Sequence, residues 1–395
     1  DLARERTEVS LPVAAPAVTS AEPKVSQKIE RRVLRTVELP ATTEGKWFIP
    51  ADHEILITDD GTDLARELVK ALKDRDVRAR VIQPDERING KVKPPVGGLI
   101  HLGRTTADEN AVWSPEAEAR LKQAFVLTKK LAPRLRAAGG KGGALLATVS
   151  RMDGRFGLSG GGFDAVQGGL AGLLKTAAHE WPEVRCKTLD VDGDWQDART
   201  VAEAIVRELT ADGPIEIGLS EAGRFGLELL DEPAPAGELQ VQNGDVVIVT
   251  GGARGVTADA AALLAEAGQA TLILLGRSPC PTDEPAWLAG ITDEAAIKRA
   301  LLENVFAGSK PNPAALEAEY RKHQANRQIR ETLARITAAG GQAVYRSVDV
   351  RDTEALAATL DEVRRGVGPI RGLIHGAGVL EDHLIEDKTV EQFEK

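Results

Sequence analysis

Two glycine runs, one arginine and one aspartate are the residues of this chain whose types and spacing point to chemistry. Thr250-Gly-Gly-Ala-Arg-Gly255 follows the apolar, β-branched run Val246–Val249 and precedes an alanine-rich helical stretch. A strand that stops at glycines and turns into a helix offers backbone N–H groups and the positive end of the helix dipole to an anion. Gly251 allows the tight turn. Gly252 and Gly255 let the backbone approach a pyrophosphate resting on the first helical turn, so Thr250, Gly251, Gly252, Arg254, Gly255 and Val256 are candidate phosphate-binding residues. A second apolar run, Ala270–Leu275, closes with Gly276, Arg277 and Ser278. In a strand–helix–strand unit of this kind the place of Arg277 faces an adenosine ribose. An acidic residue there would hold the 2′-hydroxyl, whereas an arginine accommodates a 2′-phosphate, so the expected ligand is NADPH rather than NADH. A third run, Val344–Val350, closes with Asp349 and Val350, and a fourth, Gly372-Leu-Ile-His375, ends in Gly376-Ala-Gly378 over the same sheet edge. No residue cluster has metal-ligand spacing, and Cys186 and Cys280 are too few and too separated for a zinc site or a disulfide framework.

The elements that position these residues occur twice. Glu54-Ile-Leu-Ile-Thr58, a helical stretch Leu64–Lys73 and Val77–Ile82 form an earlier strand–helix–strand unit, and Gly98-Leu-Ile-His101 repeats as Gly372-Leu-Ile-His375 in the matching place. The first copy carries Asp59-Asp60 where the second carries glycines, and two carboxylates repel a pyrophosphate. The fold class expected is α/β: two tandem dinucleotide-binding (Rossmann-like) subdomains with doubly wound parallel sheets, the second incomplete. The boundaries are a flexible Ala/Pro linker over 1–30, a degenerate structural subdomain over 31–236 and a cofactor-binding subdomain over 240–395, separated by the Pro-rich stretch Asp231–Gly237. Within the second copy, 279–328 is too long for an ordinary loop and reads as an insertion. Its expected helices are Asp293–Glu303 and Asn312–His323, mostly solvated, with the ordinary helix resuming at Gln328.

Composition sets outer limits. A length of 395 residues accommodates two or three domains, and 42% hydrophobic residues suffice for ordinary cores. A net charge of −10 argues against nucleic acid as the main partner. No run is apolar and long enough to span a membrane, and a reduced, cytoplasmic setting fits the two cysteines. The chain begins at Asp1 and holds one methionine, Met152, which suggests a segment of a longer polypeptide.

Thr250-Gly-Gly-Ala-Arg-Gly255, Leu275-Gly-Arg277, Asp349-Val350 and His375-Gly-Ala-Gly378 resemble the short-chain dehydrogenase/reductase superfamily, and within it the ketoreductase domains of polyketide and polyunsaturated fatty acid synthases. The resemblance covers nearly all of the chain after about residue 30, and the family likewise has a structural subdomain before the catalytic one. Thr257 stands where the family's loop has its third glycine, a departure expected to loosen helix–sheet packing slightly. The family places a Ser at the end of a central strand, then a Tyr, then a Lys or Asn. In copy one Ser150 is in place, but Phe163 stands for the Tyr and Gln167 for the next residue, so copy one is expected to be catalytically dead. Only 20 residues follow His375, and the corresponding Ser and Tyr of copy two are expected beyond Lys395. No catalytic residue is therefore assigned within the chain, which alone is expected to be inactive.

The resemblance implies NADPH-dependent reduction of a carrier-bound β-ketoacyl thioester, with an acyl carrier protein and neighbouring synthase domains as partners. Leu380-Glu381-Asp382 stands where ketoreductases setting a 3R hydroxyl (B-type) carry Leu-Asp-Asp; Asp382 matches, Glu381 departs, and 3R is the expected outcome. The alternative is a non-catalytic module that holds NADPH or serves as a scaffold.

Overall fold

The computed structural model of the chain describes residues 30–86, 88, 94–104, 114–160, 162–235, 237 and 240–394. The expected linker over 1–30 lies, apart from Glu30, outside the described residues. The chain divides into two compact units: Asp1–Ala124 with Pro133–Pro235, and Phe125–Ala132 with Ala236–Lys395.

The first unit runs β1 (Arg32–Leu39), β2 (Glu54–Thr58), α1 (Leu64–Lys73), β3 (Arg78–Ile82), β4 (Val96–Leu102), α2 (Pro115–Gly139, whose middle stretch Phe125–Ala132 is grouped with the second unit), β5 (Leu145–Ser150), α3 (Gly168–Glu180), β6 (Arg185–Val191), α4 (Ala198–Thr210), β7 (Glu216–Ser220) and β8 (Gly223–Asp231). Its eight-stranded sheet has the order β1-β8-β7-β6-β5-β4-β2-β3. β2 to β7 pair in parallel, while β8 and β1 close the far edge as an antiparallel pair. β2 and β5 are buried along their whole length, as strands covered by helices on both faces must be. α3 starts at Gly168, after Asp164 caps a short 3₁₀ turn over Ala165–Gln167.

The second unit runs β9 (Val246–Thr250), α5 (Gly255–Gly268), β10 (Thr271–Gly276), α6 (Glu294–Asn304), α7 (Pro313–Ala338), β11 (Gln342–Ser347), α8 (Thr353–Gly366) and β12 (Ile370–His375). Its parallel sheet has the order β11-β10-β9-β12. The strand period of two divides the apolar residues cleanly. Val247, Val249, Leu272 and Leu274 pack under α5 and α7, whereas Val246, Ile248, Ile273 and Leu275 face Val363 of α8. β12 alternates half-buried and exposed positions, and Leu373 is 67% exposed.

The insertion differs from the expectation in two ways. The predicted helix Asn312–His323 and the helix resuming at Gln328 are one continuous helix, α7, capped by Asn312 with Pro313 in its first turn. No proline or glycine interrupts it, so nothing ends the helix between the two stretches. The insertion is also not merely solvated. Leu288, Ile297 and Leu301 are buried against Trp287, Ile291, Leu316 and Tyr320, a small core of its own.

Candidate functional site

β9 ends in a turn that favours glycine at two places. Gly251 has φ +70°, and a Cβ there would come 2.7 Å from Gly376 O. Gly255 opens α5 at φ +61° with nothing within 4 Å of where its Cβ would be. The parallel pairing of β12 with β9 brings Gly376-Ala377 against the loop. There Gly376 N donates to Thr250 O (3.0 Å), Ala377 N donates to Thr250 Oγ1 (3.2 Å), and that hydroxyl is 2.7 Å from His375 Nδ1. Thr250, Gly251, Gly252, Gly376 and Ala377 thus form one connected rim. Arg254 takes the N-cap position of α5 without a side-chain hydrogen bond to the first turn. Arg254, Gly255 and Val256 are all exposed. This leaves an uncapped, positively polarised helix start beneath a glycine-rich backbone.

Thr257 does not loosen this region as expected. Its side chain fills the space over Gly376, where a Cβ would come 2.5 Å from both Thr257 Oγ1 and Cγ2. The bulk added at the third-glycine position is accommodated by a glycine on the facing strand end.

At the other end of the loop, Arg277 is exposed just past β10 and Ser278 half-buried. The Tyr345 hydroxyl donates to Ser278 O (2.8 Å), and a Cβ on Gly276 would meet that hydroxyl at 2.9 Å. Asp349 and Val350 lie beyond the end of β11 rather than within it, since the strand stops at Ser347. The Asp349 carboxylate is held by Arg351, whose backbone N donates at 3.1 Å and whose guanidinium donates at 2.7 Å. Those bonds, with the nearby charge of Arg277, bring its pKa down to about 2. Leu380, Glu381 and Asp382 follow the Gly378 turn, with Leu380 88% exposed and Lys388 donating to Glu381 O. Sequence reasoning missed Thr257–Gly376, Tyr345 and Arg351, because each acts through a contact between segments distant in the chain or through a turn.

The first unit shows the same architecture closed upon itself. Gly61 N donates to Asp59 Oδ1 (2.9 Å), Thr62 N to Asp60 Oδ1 (3.2 Å) and Leu64 N to Thr62 Oγ1 (3.1 Å). Backbone donors that would serve a bound phosphate are taken up by the protein's own oxygens. Ser150, at the end of β5, is buried and donates to Asp190 Oδ1 (3.0 Å). Gln167 ties two strand ends together, accepting from Arg151 N and donating to Arg104 O (both 2.9 Å). His101 is buried, and desolvation pushes its pKa down to about 4. Ser150 and Gln167 are thus engaged by internal partners, and Phe163 has no proton to exchange.

Among the described residues no group of three or more His, Cys, Asp or Glu could hold a metal ion, and no helix is long and apolar enough to cross a membrane.

Residues 245–395 match the model of the family described as KR domain. A polyunsaturated fatty acid synthase polypeptide of Thraustochytrium sp. is 30% identical over 384 residues, which is 87% of this chain and 14% of that protein. The chain therefore spans about a seventh of the length of this relative. Among solved structures, an N-terminal ketoreductase from the macrolactin assembly line superposes with TM-score 0.58 at 15% identity, over 92% of this chain and 68% of that one. A multidomain structure with adenylation, ketoreductase and pseudo Asub domains, from a keto acid-selecting NRPS module, superposes with TM-score 0.61 at 19% identity, over 92% of this chain and 29% of that one.

Proposed function

The chain belongs to the ketoreductase domains of polyketide and polyunsaturated fatty acid synthases, in the short-chain dehydrogenase/reductase superfamily, and from this membership we propose that it contributes the NADPH site of a reductase acting on carrier-bound β-ketoacyl thioesters. The carrying observation is the contrast between the two loops. The same turn is filled by Asp59 and Asp60 in the first unit and is glycine-lined, uncapped and flanked by exposed Arg254 and Arg277 in the second.

The donor set fits the cofactor. Thr250, Gly251, Gly252, Gly255 and Val256 would hold the pyrophosphate against the start of α5, where backbone N–H groups and the helix dipole favour negative charge. Arg254 would stand with the pyrophosphate residues, while Arg277 and Ser278 would take the 2′-phosphate, for which a guanidinium offers paired donors. Asp349 and Val350 would border the adenosine, and Gly376, Ala377 and Gly378 would complete the rim without side chains that block it. When bound, NADPH supplies the hydride for the β-keto carbon. Glu381 and Asp382, beside Leu380, would bias the face presented, giving the 3R alcohol. The proton donor is assigned to no residue of this chain. An acyl carrier protein would deliver the thioester, in a reduced cytoplasmic setting with neighbouring synthase domains.

Fluorescence titration tests the cofactor half. One NADPH should bind per chain, with NADH weaker, and Arg277→Glu should weaken NADPH on the order of tenfold or more while leaving NADH nearly unchanged. Equal binding of NADH and NADPH by the unaltered chain would remove the assignment of Arg277. Turnover is tested by NADPH oxidation with a β-ketoacyl thioester, using this chain and one carried on through a complete reductase domain. Turnover by the longer chain alone is the expected result. Binding without turnover in both would instead mark a module that holds NADPH without reacting.

A further inference from the structure

Ala253 sits in the middle of the loop and is 5% exposed. A buried carbonyl needs a donor. For Ala253 O that donor comes from outside the loop: the hydroxyl of Thr332 on α7, 2.9 Å away and on a residue only 4% exposed. The same hydroxyl lies 2.9 Å from Gln328 O, one turn back along α7. A trans peptide places its N–H opposite its C=O. An Ala253 carbonyl drawn to α7 therefore turns the Arg254 N–H away from that helix.

The residues of α7 just before Thr332 fix where it stands. Asn326 exchanges two hydrogen bonds with the Thr282 backbone (2.8 and 3.0 Å). Arg327 donates to Ile291 O (2.7 Å) and Leu288 O (3.0 Å) and pairs with Glu284. Arg330 donates to Thr282 O (2.7 Å) and Asp283 (2.8 Å). Because α7 is one uninterrupted helix, these bonds set its rotation and register, and so the position of a hydroxyl less than two turns further on.

We propose that Thr332 is a positioning residue for the cofactor, aiming the Arg254 N–H at the pyrophosphate through Ala253 O, and that the segment 282–291 of the insertion braces the helix that carries it. This rests on the reading of Thr250–Val256 as the NADPH loop. The insertion is then part of the cofactor machinery.

The test compares the unaltered chain with Thr332→Val, which keeps the shape and removes the hydroxyl, and Thr332→Ser, which keeps the hydroxyl. NADPH is titrated by fluorescence, adenosine 2′-monophosphate by competition, and folding is followed by thermal melting. Adenosine 2′-monophosphate carries the 2′-phosphate and lacks the pyrophosphate. Thr332→Val should bind NADPH on the order of tenfold more weakly, the factor of about one charge-assisted hydrogen bond, and should bind adenosine 2′-monophosphate as the unaltered chain does. Thr332→Ser should restore NADPH binding. Unaltered NADPH affinity in Thr332→Val overturns the proposal, as does equal loss of both ligands or failure of Thr332→Ser to restore binding. If Thr332→Val does not fold, Thr332→Ala carries the same comparison with the same expected and overturning results. Absence of NADPH binding by the unaltered chain would instead overturn the reading of the loop itself.

Discussion

The side chain of Thr257 occupies the space that a Cβ on Gly376 would need, and the two residues lie far apart in sequence. Bulk added at position 376 would therefore strain Thr257. Gly376→Ala should destabilise the second unit by about 1–3 kcal/mol, the usual cost of overpacking. In a Thr257→Gly background the same substitution should cost markedly less, although Thr257→Gly itself weakens α5 by a few tenths of a kcal/mol, roughly 0.3–0.5. A double-mutant cycle in urea measures this coupling, and additive effects would show that the two side-chain positions do not compete. A similar matching at Gly276 makes room for the Tyr345 hydroxyl, which secures the Ser278 carbonyl next to Arg277.

α7 joins features that the sequence presents as separate. Its C-terminal half buries Ile329 and Ile336 against the small residues Ala261 and Ala265 of α5, and its N-terminal half covers the insertion's own core. The two halves meet near Arg327, whose guanidinium satisfies two backbone carbonyls of the insertion. Arg327→Ala leaves those carbonyls without their donor and should cost about 1–3 kcal/mol. The loss should be local: limited proteolysis with mass spectrometry should show new cleavage within 282–291 while the sheet strands stay protected. Cleavage spread evenly over the second unit would mean that the insertion and the sheet unfold together.

The chain as a whole carries two versions of one architecture whose polar groups have been satisfied in different ways. In the first unit the sites are closed by internal partners, and Asp190 shows the consequence. It accepts from Ser150 Oγ, Met152 N and Phe156 N, yet burial dominates and raises its pKa to about 6 from the ordinary 3.8. A carboxyl whose folded pKa lies above its unfolded one contributes stability that is complete below the unfolded value and lost as pH rises through the folded value. Relative to Asp190→Asn, the unaltered chain should therefore lose up to about 3 kcal/mol of first-unit stability between pH 4 and pH 7. Urea denaturation of both proteins at several pH values measures the difference, and a constant difference across this range would remove Asp190 as its source.

Local chemistry made much of this protein legible. β-branched runs ending at glycines, the repeated Gly-Leu-Ile-His and the change from Asp59-Asp60 to Gly251-Gly252 gave the α/β class, the duplication and the contrast between a closed loop and an open one, because strand burial and turn geometry depend on neighbouring residues. That Phe163 has no proton to give is read from residue type alone. The continuous α7 was missed because charged, solvated surface positions and core-facing positions follow one another along it, and nothing local says that a single helix spans both. Thr332 on Ala253 O, Thr257 over Gly376 and Tyr345 under Gly276 join residues from different elements. Such pairs exist only once parallel strand pairing and helix packing have brought distant segments within hydrogen-bonding or van der Waals distance, and no pattern in the one-dimensional chain marks them.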